Sequence, residues 1–118
     1  MTFIYQQTHN FDSRLSESTR IRAKYPDRIP VILEKHASSA IQPIKQTKFL
    51  VPKSLVVSEL IYILRKRVKL DQNDAIFIFI NDMLPVSSTP ILSIYEKHVN
   101  PDGFLYITYA TENTFGQF

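Results

Sequence analysis

The chain has no cysteine, no tryptophan and only two glycines among its 118 residues. The missing thiols exclude disulfides, thiolate metal sites and cysteine nucleophiles together, so any thioester chemistry must use a partner's thiol. Long apolar runs are missing too, and nothing approaches the roughly 18 residues that a membrane span needs. The opening MTFIYQQTHNFDSR has neither a basic region nor a long apolar one, so no secretory signal is visible and a cytosolic or nuclear location is expected. His9, His36 and His98 show no metal-ligand spacing, Asp71, Asp74 and Asp82 are scattered through loop-like stretches, and no nucleophile–base arrangement is present. No metal, cofactor or catalytic residue is therefore expected, and the chain reads as a non-enzyme.

What is present describes one ordinary globular domain. At 44% hydrophobic and 21% charged residues, the chain is long enough to bury a core without metal or disulfide help. A net charge of +3 and a pI near 9.2 favour acidic partners such as acidic peptides or anionic lipid surfaces. The excess is too small to argue for nucleic acid, and an RNA-binding sheet would rest only on the pI and the tyrosines. Scarcity gives weight to Gly116, which stands directly after Phe115 in the closing stretch ENTFGQF.

Residues 1–27 are polar and charged, with apolar Phe11, Leu15 and Ile21 spaced for one helical face, Asn10 or Asp12 as N-cap, and an end before Pro26. RIPVILEK (28–35) and KFLVP (48–52) read as an antiparallel hairpin with a long polar loop. Val57, Leu60, Ile61, Leu64 and Val68 form the stripe of a core-facing helix. AIFIFI (75–80) reads as a strand buried on both faces. A short helix then starts with Thr89 as cap and Pro90 at its first position, and FLYITYA (104–110) closes the sheet. Hairpin, crossing helix and two further strands give an α+β ubiquitin-like β-grasp with a mixed four-stranded sheet and an N-terminal two-helix extension. Its first and last strands are adjacent at the centre and KFLVP lies at an edge. The expected division is a helical extension (1–27), a ubiquitin-like domain (28–110) and a C-terminal tail (111–118).

Taken in order, KYPDRIPVILEK, KFLVP, RKR, FIFIND, IYEKH, GFLYITYA and the final Phe115-Gly116 resemble the autophagy ubiquitin-like modifiers of the GABA-receptor-associated-protein type, over essentially the whole chain. The resemblance implies that a cysteine protease removes Gln117 and Phe118. The Gly116 carboxylate is then passed through thioesters by activating and conjugating enzymes to the amine of phosphatidylethanolamine. It also implies a groove for receptors with aromatic-x-x-aliphatic motifs. Glu17, Ile21, Pro30, Ile32, Lys48, Leu50 and Phe104 match the aromatic-accepting pocket. Phe49, Val51, Pro52, Leu55, Leu60, Ile63 and Arg67 match the second, and Arg28 and Lys45 add to an electrostatic rim with Lys48 and Arg67. A monomer in solution that reaches autophagosome and vesicle membranes after lipidation is expected.

Two departures stand out. Asn10 occupies a position where the family usually has proline, and Val56 one where it often has a capping threonine. The competing reading is an adaptor in vesicle trafficking or cytoskeletal attachment that acts unconjugated. It differs from the first in having no need of an accessible Gly116.

Overall fold

The structure, a computed structural model, describes residues 3–68, 70 and 74–111; the Gly116 tail lies outside them. The elements are α1 (Ile4–Thr8), α2 (Phe11–Lys24), β1 (Arg28–Lys35), β2 (Lys48–Pro52), α3 (Val57–Arg67), β3 (Phe77–Phe79), α4 (Ile91–His98) and β4 (Leu105–Ala110). The sheet order is β2-β1-β4-β3, with β1 and β4 parallel at its centre and antiparallel pairs on either side. This is the mixed four-stranded β-grasp read from the sequence, with two helices before it.

Alternation along the strands sends side chains to two different cores. One face carries Val31, Leu33, Leu105, Ile107 and Tyr109, packed against Val57, Leu60 and Leu64 of α3 and Ile91 and Ile94 of α4. Each such side chain, buried, contributes roughly 1.5–3 kcal/mol. On the opposite face Ile32 and Phe104 meet Tyr5 of α1 and Ile21 of α2, with Leu50 and Tyr106 alongside.

Three local expectations are corrected. Phe11 and Leu15 are 42% and 38% exposed, so of the expected apolar stripe of α2 only Ile21 is buried. The helix docks through Ile21 together with the fully buried Ser18, with Arg14 one further turn back. β3 is shorter than AIFIFI: Ile76 is buried but lies before the ladder, and Ile80 leaves it to pair with Met83 across a turn. Asn81 and Asp82 occupy that turn at φ 51° and 65°, a conformation that Asn and Asp tolerate better than most residues. Pro90 is extended, at φ −64° and ψ 142°, and caps α4 from outside instead of starting it. Long-range pairing decides this, because Pro90 bridges Val56 and the Ile91 N–H donates to the Leu55 carbonyl at 2.7 Å.

A polar knot replaces the missing apolar stripe of α2. Asp102, fully buried, accepts from Arg14 Nε at 2.8 Å, the Tyr106 hydroxyl at 2.5 Å and the Phe104 N–H at 2.9 Å. Ser18 Oγ donates to the Asp102 carbonyl at 2.5 Å. Gly103 beside it sits at φ +92°, where an added Cβ would lie 2.2 Å from Ser18 Oγ and 2.9 Å from Ser18 Cβ. Only glycine allows α2 to approach this closely.

Candidate functional site

β2 is an edge strand. One side pairs with β1, and among the described residues no strand of this chain covers the other. Its register sets Lys48 opposite Ile32 and Leu50 opposite Pro30, while Phe49 lies opposite Val31 and Val51 opposite Ile29. The first pairs point to the α2 side of the sheet and the second to the α3 side. Strand alternation thus separates Lys48 and Leu50 of the first matched set from Phe49 and Val51 of the second, while Pro52, matched to the second set, keeps the phase of Lys48 and Leu50.

On the α3 side, Phe49, Val51, Pro52, Leu55, Leu60, Ile63 and Arg67 line one open depression of about 220 Å³. Arg28, Leu33, Leu50 and Leu64 complete it. Leu60 and Val51 form part of the core beneath, whereas Ile63 is 37% exposed and offers free apolar surface. The Arg67 guanidinium lies 5.2 Å from the centre of the Phe49 ring, held over an apolar wall by its cation–π contact.

The α2-side set comes together differently. Ile32 and Phe104 have no exposed surface and Ile21 has 5%, so these three are core residues on which a ligand could rest only after rearrangement. Leu50 is half-buried against them. Above this cluster, Lys48 Nζ contacts Glu17 Oε2 at 2.5 Å and stands 5.3 Å over the Tyr5 ring, and the Tyr5 hydroxyl donates to Glu17 Oε1. Burial pushes the Glu17 carboxyl up, but hydrogen bonds from Lys48 and Tyr5 and the charges of Lys48 and Arg20 outweigh it and hold the group below its ordinary value. The Tyr5 hydroxyl is pushed well above its ordinary value, first by burial and then by Glu17. The result is a closed lid of three side chains over an apolar floor.

Of the rim residues, Arg28 borders the α3-side depression, and Lys45 is exposed beside the C-terminal end of α3, near Arg67. Tyr5, Arg14, Ser18 and Asp102 were not found by sequence reasoning. Asn100 and Gly103 in NPDGF do carry a readable turn signal, since Asn100 Oδ1 accepts from the Asp102 N–H and the Gly103 N–H bonds to the Asn100 carbonyl. Nothing in the sequence indicates that Arg14 and Ser18 lie across the molecule from it. Among the described residues no group of three or more His, Cys, Asp or Glu side chains could hold a metal ion, and no helix is long and apolar enough to cross a membrane.

Fold and edge together define a ubiquitin-like β-grasp whose edge strand is paired on one side among the described residues and is flanked by an open and a lidded apolar site. Comparison with known proteins makes the assignment specific. The family model described as autophagy protein Atg8, ubiquitin-like, matches residues 13–116. The chain is 48% identical to Autophagy-related protein 8 of Mycosarcoma maydis, over 99% of both proteins. It is 52% identical to that of Emericella nidulans, over 95% of both. Trypanosoma brucei ATG8 superposes with a TM-score of 0.91 at 41% identity, covering 98% of this chain and all of that one. Plasmodium falciparum Atg8, solved with an Atg3 peptide of the same organism, gives 0.84 at 32% identity, covering 94% and 98%. The chain belongs to the Atg8 family of autophagy ubiquitin-like proteins.

Proposed function

We propose that the protein is a non-enzymatic modifier that is cut after Gly116, joined through the freed carboxylate to phosphatidylethanolamine, and then displays β2 as a docking edge for receptor peptides. The observation that carries the docking reading is the placement of Lys48 and Leu50 on one face, and Phe49 and Val51 on the other, of a strand paired on one side only among the described residues. In an extended peptide, residues three apart point to opposite faces. An aromatic and an aliphatic side chain at that spacing, on a strand added beside β2, would reach the α2-side cluster and the α3-side depression at once. The aromatic one would have to move Lys48 off Glu17 before reaching Leu50 and the floor beneath.

The tail reading rests on family membership and on Gly116 itself. A residue without Cβ lets an extended chain pass a narrow active site and leaves its carbonyl open to attack. Protease, activating and conjugating enzymes supply the thiols this chain lacks. The Atg3 peptide bound to the P. falciparum relative supports a conjugating enzyme as one partner.

The test is the mass of the C-terminal peptide from protein recovered from membranes of starved cells, for the wild type and for Gly116→Ala. A wild-type peptide ending at Gly116 with phosphatidylethanolamine attached, and an unprocessed variant confined to the soluble fraction, are expected. An intact Gln117-Phe118 end in membrane and soluble fractions alike would refute conjugation and favour the unconjugated adaptor.

A further inference from the structure

Between α1 and the connection that follows β1 lies a cavity of about 660 Å³, within the size range of small-molecule sites. Ile4, Tyr5, Pro43 and Ile44 supply apolar walls, and Glu34 and Tyr109, near the adjacent ends of β1 and β4, bring polar groups into it. Of these residues only Tyr5 also belongs to the lidded cluster, and none lines the α3-side depression.

Hydrogen bonds fix the frame. The His36 N–H donates to the Tyr109 carbonyl at 2.8 Å and the Leu33 N–H to the Thr47 carbonyl at 2.7 Å, which ties both ends of the connection to the sheet. On the α1 side, the Ile4 and Tyr5 N–H groups donate to Glu34 Oε1 and Oε2 at 2.8 and 3.0 Å and clamp the start of the helix.

Two side chains in this space keep bonding capacity that the protein does not use. Tyr109 has no exposed surface and its hydroxyl accepts from the Ile44 N–H at 2.9 Å, but among the described residues no acceptor takes its proton. Burial pushes that hydroxyl above its ordinary value, the Ile44 bond opposes the shift and the Glu34 charge adds to it, so the proton stays in place as a donor. Glu34 is 5% exposed, and each of its oxygens accepts one of these backbone bonds, where a carboxylate oxygen can take two. A buried donor without an acceptor is costly, and a bound acceptor would remove that cost.

Charge narrows the class of ligand. Glu34 and Lys35 both border the cavity, so their opposite charges offer no net charge for an ion to neutralise, and Lys35 Nζ already donates to the Ser39 carbonyl at 2.7 Å. A neutral hydroxyl suits both open positions, because it accepts and donates through one oxygen. An apolar body behind it would cover Ile4, Pro43 and Ile44, removing their surface from water.

We propose that this cavity is a binding site for a mainly apolar alcohol or phenol, whose hydroxyl accepts from Tyr109 and donates to Glu34. The site is independent of the docking edge, and neither fails with the other.

The experiment titrates the isotope-labelled full chain with p-ethylphenol, p-ethyltoluene and p-ethylbenzylamine and follows the backbone amides by NMR. Saturable shifts are expected at Ile4, Tyr5, Glu34 and Ile44. The phenol should bind about tenfold tighter than the toluene, the scale of one hydrogen bond to a buried group, and the cationic amine no tighter than the toluene. Tyr109→Phe should bring the phenol down to the level of the toluene. Ala37→Trp, at an exposed residue that borders the cavity, fills it without removing any of these hydrogen bonds and should abolish binding of all three. This second variant carries the test where Tyr109→Phe, by stranding the Ile44 N–H, fails to fold. Absence of saturable shifts at these amides, or phenol binding that survives Ala37→Trp, overturns the site. Equal affinity of phenol and toluene, or a tighter amine, overturns the assigned ligand class.

Discussion

Replacing Asp102 with asparagine removes one charge and one acceptor from the knot that fastens α2 to the sheet, with almost no change in volume. The carboxylate accepts three hydrogen bonds, from Arg14 Nε, the Tyr106 hydroxyl and the Phe104 N–H. An asparagine offers one oxygen and an NH2 group, so in either orientation at least one of these donors faces another donor. Losing a charge-assisted bond costs about 1.5–3 kcal/mol and stranding a buried donor about 1–3 kcal/mol. With Arg14 only 12% exposed and Asp102 fully buried, solvent does little to soften either loss.

A decrease of about 3 kcal/mol is therefore expected, a large part of the 5–15 kcal/mol typical of a whole domain. Urea unfolding followed by circular dichroism would read it as a lower midpoint at unchanged slope. Arg14→Ala, measured alone and combined with Asp102→Asn, closes a double-mutant cycle with a coupling of about 1.5 kcal/mol or more. A loss below about 0.5 kcal/mol, or additive single effects, would show that α2 is held by Tyr5, Ile21 and Phe104 alone and that the knot is incidental. Hydrogen exchange should report the loss first in α2, whose release frees Glu17 and Ile21 as well.

The other expectations are narrower. Gly103→Ala forces a Cβ into Ser18 at a backbone angle few side chains adopt, and should lower stability by about 2 kcal/mol in the same urea assay; an unchanged midpoint would mean that α2 can back away freely. Because the Glu17 carboxyl is held below its ordinary value of 4.5, it stabilises the fold fully above that value and ceases to do so as the pH falls through its lower folded value. Glu17→Gln should remove that part of the acid dependence, and identical pH–stability curves for the two proteins would refute the lid. Lys48→Ala combined with Leu50→Ala should weaken a motif peptide at least tenfold, or about 1.4 kcal/mol, by calorimetry; unchanged affinity would place the groove elsewhere.

The bounds of β1 and β2 were readable because each is an apolar run ended by charge or proline, and the helix α3 because Val57, Leu60, Leu64 and Val68 keep a helical period. The alternation in KFLVP likewise separated Lys48 and Leu50 from Phe49 and Val51 before any register was known. Where reading failed, a distant partner outweighed a local rule. Pro90 looks like a helix start until Val56 pairs with it; Val56 has no cap oxygen, and the start of α3 is satisfied by the Glu59 carboxylate, which accepts the Val56 N–H at 3.0 Å, and by the Thr89 and Ser87 carbonyls, which accept the Val57 and Ser58 N–H groups at 3.0 and 2.9 Å. The face of α2 was misjudged for the same reason: Phe11 and Leu15 look like anchors, but Arg14 and Ser18 gain their meaning from a loop 84 to 88 residues later. The lid over the first site was invisible because it joins three elements through one carboxylate.

The parallel pairing of β1 with β4 fixes the orientation of anything displayed on this domain. Lys35 lies opposite Tyr109, so the chain leaves β4 at the pole where β1 ends, while Arg28 and Pro52 occupy the pole where β1 begins. The seven steps along the eight residues of β1 put about 23 Å between the two poles. A copy tethered by its C-terminal end would hold the Arg28–Pro52 pole at arm's length from the tethering surface, facing the solution. Crowding many tethered copies side by side would then leave those far ends unobstructed, which an antiparallel central pair would not have allowed.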